Sequence, residues 1–101
     1  MQYTVTENGG VCAINGKGTI TFEDHGTFRT LIDTVLASDA TTVSFDLQAV
    51  SALDSAGIGL LLLINDKMKS AGKDLTLSKP SPTARKIMDI AKLGEVVQVD
   101  Y

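Results

Sequence analysis

Residues 53–64, Leu-Asp-Ser-Ala-Gly-Ile-Gly-Leu-Leu-Leu-Leu-Ile, constrain the fold more than any other stretch of the chain. Just before them, Thr41 to Leu47 (TTVSFDL) is short and β-branched, which predicts a strand with Val43 and Phe45 on one face. After them, apolar residues recur at helical spacing as far as Ser70 and Gly72 supplies a stop, which predicts a helix over 56–70. A strand that feeds a helix directly across Asp54-Ser55-Ala56-Gly57 marks an α/β chain. Gly57 and Gly59 in the first helical turns cost roughly 1 kcal/mol each relative to alanine, so they need a reason. The sequence offers one: they keep the surface around Ser55 low.

The remaining pattern is consistent with that class. Tyr3-Thr4-Val5-Thr6 alternates, and Asn8-Gly9-Gly10 carries turn chemistry before Val11-Cys12-Ala13-Ile14-Asn15-Gly16, which predicts an opening β-hairpin. Gly16-Lys17-Gly18-Thr19 resembles half of a phosphate loop, but Ile20 and Phe22 continue a strand-like alternation, so it reads as a turn or bulge. Phe28, Leu31, Ile32 and Val35 form one helical stripe, with Asp24 as a cap just before it. Leu75-Thr76-Leu77 is a short strand. Ser81-Pro82 is an N-cap followed by proline at the first helical position, and Ile87, Met88, Ile90 and Ala91 make the apolar face of a third helix ending near Gly94. Val96, Val97 and Val99 close the chain as a strand. The predicted order is β-β-α-β-α-β-α-β: a mixed α/β sandwich, about five strands in a partly parallel sheet and three main helices, in one domain over residues 1–101.

Projecting the central helix at about 100° per residue from Gly57 places Leu60, Leu61, Ile64, Met68 and Ala71 within one core-facing arc. Ser55, Ile58 and Leu62 fall in line with one another on the opposite side. A serine at a helix start thus heads an apolar strip that the core is not placed to cover. Two readings remain open for it. Ser55 is a capping serine on a helix that some other element buries, or the strip binds a protein and the hydroxyl at its edge is switchable. A phosphate there would add about −1.5 to −2 charges, and a helix N-terminus holds such a group without refolding.

Composition removes most other functions. With 44% hydrophobic and 21% charged residues the chain is not disordered, and a domain of 101 residues buries roughly 65% of its unfolded surface without staples. A net charge of −3 with no basic arm argues against nucleic acid. The longest apolar run, Leu60 to Ile64, is too short for a bilayer, and the start lacks the features of a signal peptide, so the expected location is the cytoplasm with no membrane contact. The lone Cys12 sits among apolar neighbours and reads as a small buried hydrophobe. The one histidine, His25, has no metal-ligand spacing and reads as a surface or capping residue. Ser55, His25 and Asp54 form no triad, because no Gly-x-Ser-x-Gly elbow supports one. The expectation is a non-enzyme with no catalytic residue, metal or cofactor of its own.

Charge is unevenly spread. Residues 1–64 hold two basic side chains against seven acidic ones, whereas residues 65–92 hold seven against three. That basic run reads as a solvated surface first and as a docking face for an acidic partner second.

The segment Asp46-Leu47 … Leu53-Asp54-Ser55-Ala56-Gly57-Ile58-Gly59-Leu60-Leu61, with Ser81-Pro82 about 25 residues later, resembles the STAS domain of bacterial anti-sigma factor antagonists. Gly18 to Phe28 (GTITFEDHGTF) resembles a single-domain subgroup paired with a response-regulator phosphatase or serine kinase. The resemblance implies that Ser55 is a phosphoacceptor, with Asp54 as its acidic neighbour. Partner contact is expected through Asp54, Ala56, Gly57, Gly59 and Thr21 around that corner, together with Ile58 and Leu62 of the projected strip. The resemblance further implies phosphorylation by an anti-sigma factor that is also a serine kinase, reversal by a PP2C-type phosphatase, partner capture by the unphosphorylated form alone, and ATP bound by the kinase. Thr21 departs from the acidic residue many members carry at that position, which bears on the identity of the partner. An interaction subunit of a transporter or signalling complex without phosphorylation is the alternative, and a small-ligand binder or cryptic enzyme is a third. An apolar strip also suits a weak homodimer.

Overall fold

A computed structural model describes all 101 residues. The chain opens with an antiparallel hairpin of β1 (Gln2–Asn8) and β2 (Val11–Ile20). Its two-residue loop, Gly9 and Gly10, has φ of +60° and +82°, the backbone of a tight turn that glycine adopts without strain. α1 (His25–Leu36), β3 (Thr42–Leu53), α2 (Ser55–Ser70), β4 (Asp74–Ser78), α3 (Pro82–Ile90) and β5 (Gln98–Asp100) follow. The strands lie in the order β1-β2-β3-β4-β5, antiparallel at the first pair and parallel from there on, each parallel step bridged by a helix. The predicted element order and mixed sheet are those observed.

Period-two alternation decides which face of the sheet is covered. Cys12, Val43 and Leu75 are register partners, as are Ile14, Phe45 and Leu77, and all six are buried. The partners one step along, Asn15, Asp46, Ser78 and Asp100, are polar and half-buried or exposed. One face therefore carries the core, to which the helices add Phe28, Leu31, Ile32 and Val35 from α1, Leu60, Leu61, Ile64 and Met68 from α2, and Ala84 and Met88 from α3. The α1 stripe is the predicted one. Cys12 lies in this core, where burial, together with Glu7, pushes its thiol up from the usual value.

Several expectations are corrected. β3 continues to Leu53 rather than stopping at Leu47, because two register shifts against β2, after Asn15 and after Gly18, break the alternation that a strand reading depends on. Phe22 does not continue β2; it starts a 3₁₀ turn, Phe22–Asp24, and is 70% exposed. Asp24 precedes α1 but does not cap it. Its Oδ2 turns back to accept from the Thr21 N–H at 2.7 Å, and its Oδ1 takes the Met1 ammonium at 2.5 Å. α3 begins as predicted: Ser81 Oγ accepts from the Ala84 N–H and donates to the Val50 carbonyl at 2.5 Å, and Pro82 follows it. Its buried face is Ala84 and Met88, however. Ile90 is 71% exposed and Ala91 is exposed, because the helix ends there and the chain turns through Lys92 into a 3₁₀ turn at Leu93–Glu95. Val96 is likewise exposed, so the last strand starts at Gln98. No helix is long and apolar enough to cross a membrane.

The basic run of residues 65–92 does not act as a unit. The Lys73 ammonium is buried and donates to the carbonyls of Ser38 and Ala40, holding the α1–β3 connection. Arg85 pairs with Asp89 and lies over the Tyr101 ring at 4.3 Å.

Candidate functional site

The corner between β3 and α2 is fixed by the residues that form it. Asp54 leaves β3 in an extended conformation (φ −104°, ψ −173°) and is the N-cap of α2: its Oδ1 accepts from the Gly57 N–H at 2.7 Å, and its carbonyl accepts from Ile58 at 3.0 Å. Its own N–H donates to the Ile20 carbonyl at 3.4 Å, which ties the corner to the end of β2. That same carbonyl explains Gly57. A β-carbon there would overlap the Ile20 oxygen and stand 3.2 Å from Leu53 Cβ, so any side chain would push α2 away from the sheet. Gly59 is different: it is exposed, and a β-carbon on it would meet nothing within 4 Å. The two glycines thus have separate causes, and only Gly59 keeps the surface beside Ser55 low.

Ser55 is the first residue of α2, not its cap. It is exposed, and its hydroxyl makes no hydrogen bond within the protein. The N–H groups of Ser55 and Ala56 have no carbonyl a turn behind them within the helix and no other protein partner. An exposed hydroxyl therefore stands on the first residue of a helix with two free donors, at the positive end of the helix dipole, a position that favours negative charge. Thr21 shares the corner through the backbone, since its peptide contains the Ile20 carbonyl against which Gly57 packs. Thr21 itself is half-buried. Burial raises the Asp24 carboxyl beneath it, but the Met1 ammonium and the Thr21 N–H outweigh that and hold it below the usual aspartate value.

The structure thus brings together Thr21, Asp54, Ser55, Ala56 and Gly57, with Gly59 exposed one turn further along. It separates Ile58 from them. Ile58 is only 9% exposed and belongs to the core, and Leu62 is half-buried against it, so the expected uncovered strip of Ser55, Ile58 and Leu62 does not exist. The reason lies on the flanks of α2. Asn65, on the flank that also carries Ile58, is buried as well, so the buried side of α2 is wider than the sheet-facing arc of the projection. The buried arc runs from Leu60 round to Ile58, about 160° wide, and the exposed line is Ser55, Gly59 and Leu63.

Leu63 is therefore the apolar residue that the sequence reading missed, at 38% exposure. Its signal was present: on the same projection it lies roughly 240° from Gly57, away from the core. Leu63 and Lys67 face α1 across a groove lined by His25, Gly26, Arg29, Ile32 and Asp33. His25 is exposed at the start of α1, with its ring edge-on to Phe22 at 5.1 Å.

Comparison with known proteins locates this architecture. Among curated sequences, an anti-sigma F factor antagonist of Lysinibacillus sphaericus is 32% identical over 60 residues, 59% of this chain and 51% of that protein, so the match spans about half the length of that relative. A STAS-domain containing protein of Pseudomonas aeruginosa is 29% identical over 83 residues, 82% of this chain and 81% of the other. Among solved structures, an anti-sigma factor antagonist from Mycobacterium paratuberculosis superimposes with a TM-score of 0.84 at 20% identity, covering 98% of this chain and 84% of that one. SpoIIAA in its unphosphorylated form gives 0.74 at 21% identity, covering 99% and 89%, and Bacillus SpoIIAA in the phosphorylated form gives 0.70 at 24%, covering 99% and 92%. These likenesses give the fold. The STAS domain family matches residues 2–100, and the chain belongs to that family.

Proposed function

We propose that this chain is a phosphorylation-controlled partner-switching regulator of the anti-sigma factor antagonist type. With Ser55 unmodified it holds an anti-sigma factor, or an equivalent regulator, that is also a serine kinase; phosphate on Ser55 releases that partner, and a PP2C-type phosphatase restores the binding form. In this reading it works in the cytoplasm as a regulator and not as an enzyme, and ATP is bound by the kinase.

One observation carries the reading. Ser55 Oγ is exposed and unengaged on the first residue of a helix whose start is otherwise fixed by the Asp54 cap and by the contact of Gly57 with Ile20. Phosphate there would meet the free N–H groups of Ser55 and Ala56 without breaking a bond the fold needs, so the domain would persist while its surface changes. Seating a partner over that dianion, beside Asp54, costs on the order of several kcal/mol. Each 1.4 kcal/mol is about tenfold in affinity, so one phosphate suffices to release a partner. The anti-sigma factor antagonists among its relatives support the same reading.

The test is chemical. Purified protein incubated with ATP and an extract of its native bacterium gains about 80 Da, mapped by peptide mass spectrometry to Ser55, and the Ser55→Ala protein gains nothing. No modification under conditions that phosphorylate other substrates in the same extract would favour a constitutively docked interaction subunit.

A further inference from the structure

We infer that the groove between α1 and α2 receives an acidic segment of the partner protein, anchored by one apolar side chain. This rests on the reading of the chain as a partner-binding regulator and specifies the chemistry of what it binds. The groove encloses about 670 Å³ and opens to solvent. Leu63, exposed, and Ile32 form its apolar surface, and Gly26 leaves the α1 side low, since a β-carbon there would meet nothing within 4 Å. Phe22, largely exposed and edge-on to His25, extends the apolar surface beyond the rim.

Charge selects the occupant. Arg29 and Lys67 line the groove, and neither takes part in either of the protein's ion pairs, Met1 with Asp24 and Arg85 with Asp89. Asp33 is the one acidic residue of the lining. It stands one turn after Arg29 on α1, the spacing of a helical ion pair, yet forms none. Arg29 is also one of only two basic residues in the first 64, against seven acidic ones. Two unpaired cations around exposed leucine suit glutamate or aspartate flanking an aliphatic or aromatic side chain. Two copies meeting groove to groove would bring the same cations against themselves, so a self-paired groove is disfavoured.

The groove also relates to Ser55. Leu63 lies eight residues along α2, about 12 Å down the axis on the exposed side, so one partner spans both. Phosphate on Ser55 would then face an acidic partner, adding like-charge repulsion to the cost of desolvation.

The test replaces Leu63 with the photo-crosslinking residue benzoylphenylalanine in the Ser55→Ala protein, irradiates it in extract of the native bacterium, and sequences the attached peptide; the same probe at Gly59 serves as reference. The expected peptide is net acidic around a large apolar residue. Reversal of both cations, Arg29→Glu with Lys67→Glu, is expected to weaken the captured partner roughly tenfold or more, whereas Lys86→Glu on α3 leaves it unchanged. A basic or uncharged peptide, a peptide of this chain itself, or a partner caught at Gly59 but not at Leu63 overturns the inference while leaving partner binding intact. Capture at neither position overturns both readings. An acidic peptide caught equally well with Ser55→Asp keeps the groove and removes the switch.

Discussion

Gly57 lies so close to the backbone carbonyl of Ile20 that the two elements carrying the candidate site, the end of β2 and the start of α2, are in direct contact. Whatever happens at Ser55 therefore happens on a rigid corner. The same contact accounts for a glycine where helix propensity alone would place alanine.

Gly57→Ala should destabilise the fold by about 1–3 kcal/mol, the usual cost of forcing atoms into a closed space, despite alanine's better propensity. Gly59→Ala should do the opposite, gaining about 0.5–1 kcal/mol, because its surroundings are open. Thermal melts of the two variants should shift in opposite directions, and a common direction would contradict the separate causes given for the two glycines.

The helix start depends on Asp54 and not on Ser55. Asp54→Ala should cost about 0.5–2 kcal/mol, the value of a lost N-cap, whereas Ser55→Ala should stay within about 0.5 kcal/mol of the parent. Urea unfolding of both proteins measures this, and a larger loss at Ser55 would restore it as the cap.

Ile58 is a core residue where the helical projection leaves it uncovered, and Leu63 is the exposed apolar residue of α2. Ile58→Ala should cost about 2–4 kcal/mol as a core truncation, and Leu63→Ala should leave stability within about 0.5 kcal/mol while weakening partner capture. Comparing melting temperature with retention of the partner separates the two effects.

The sequence made the helices legible where local chemistry marks them: the Phe28, Leu31, Ile32, Val35 stripe, the Ser81-Pro82 start, and the Asp54-to-Gly57 corner. It concealed what depends on neighbours. The length of β3 hides behind register shifts against β2, and the burial of Ile58 and Asn65 on the flank of α2 depends on tertiary packing that no projection of α2 alone contains. The carboxylate of Asp24 has the right spacing for a cap, yet it serves the preceding turn because the Met1 ammonium and the Thr21 N–H converge on it. At the candidate site, the corner of Asp54 and Ser55 was legible, but which of the two caps α2 was not, and the groove further along α2 was hidden because α1 and α2 are separated by β3.

Asp24 also sets an acid limit. Its carboxyl is held below the ordinary 3.8, so the folded state favours the ionised form more than the unfolded chain does. That stabilisation is complete above the unfolded value and is lost as pH falls through the folded one. Asp24→Asn should lower stability at neutral pH and flatten its decline in acid below about pH 4. Urea midpoints measured from neutral to acid pH for the two proteins test this; parallel profiles would contradict it.

The central claim is most directly tested by retention. Tagged Ser55→Ala and Ser55→Asp proteins are used to capture partners from the native bacterium, and the bound material is quantified by mass spectrometry. The account predicts a protein held by the alanine form and lost from the aspartate form, with both variants equally folded. Equal retention by the two would contradict the switch and leave Ser55 as an exposed residue at a helix start.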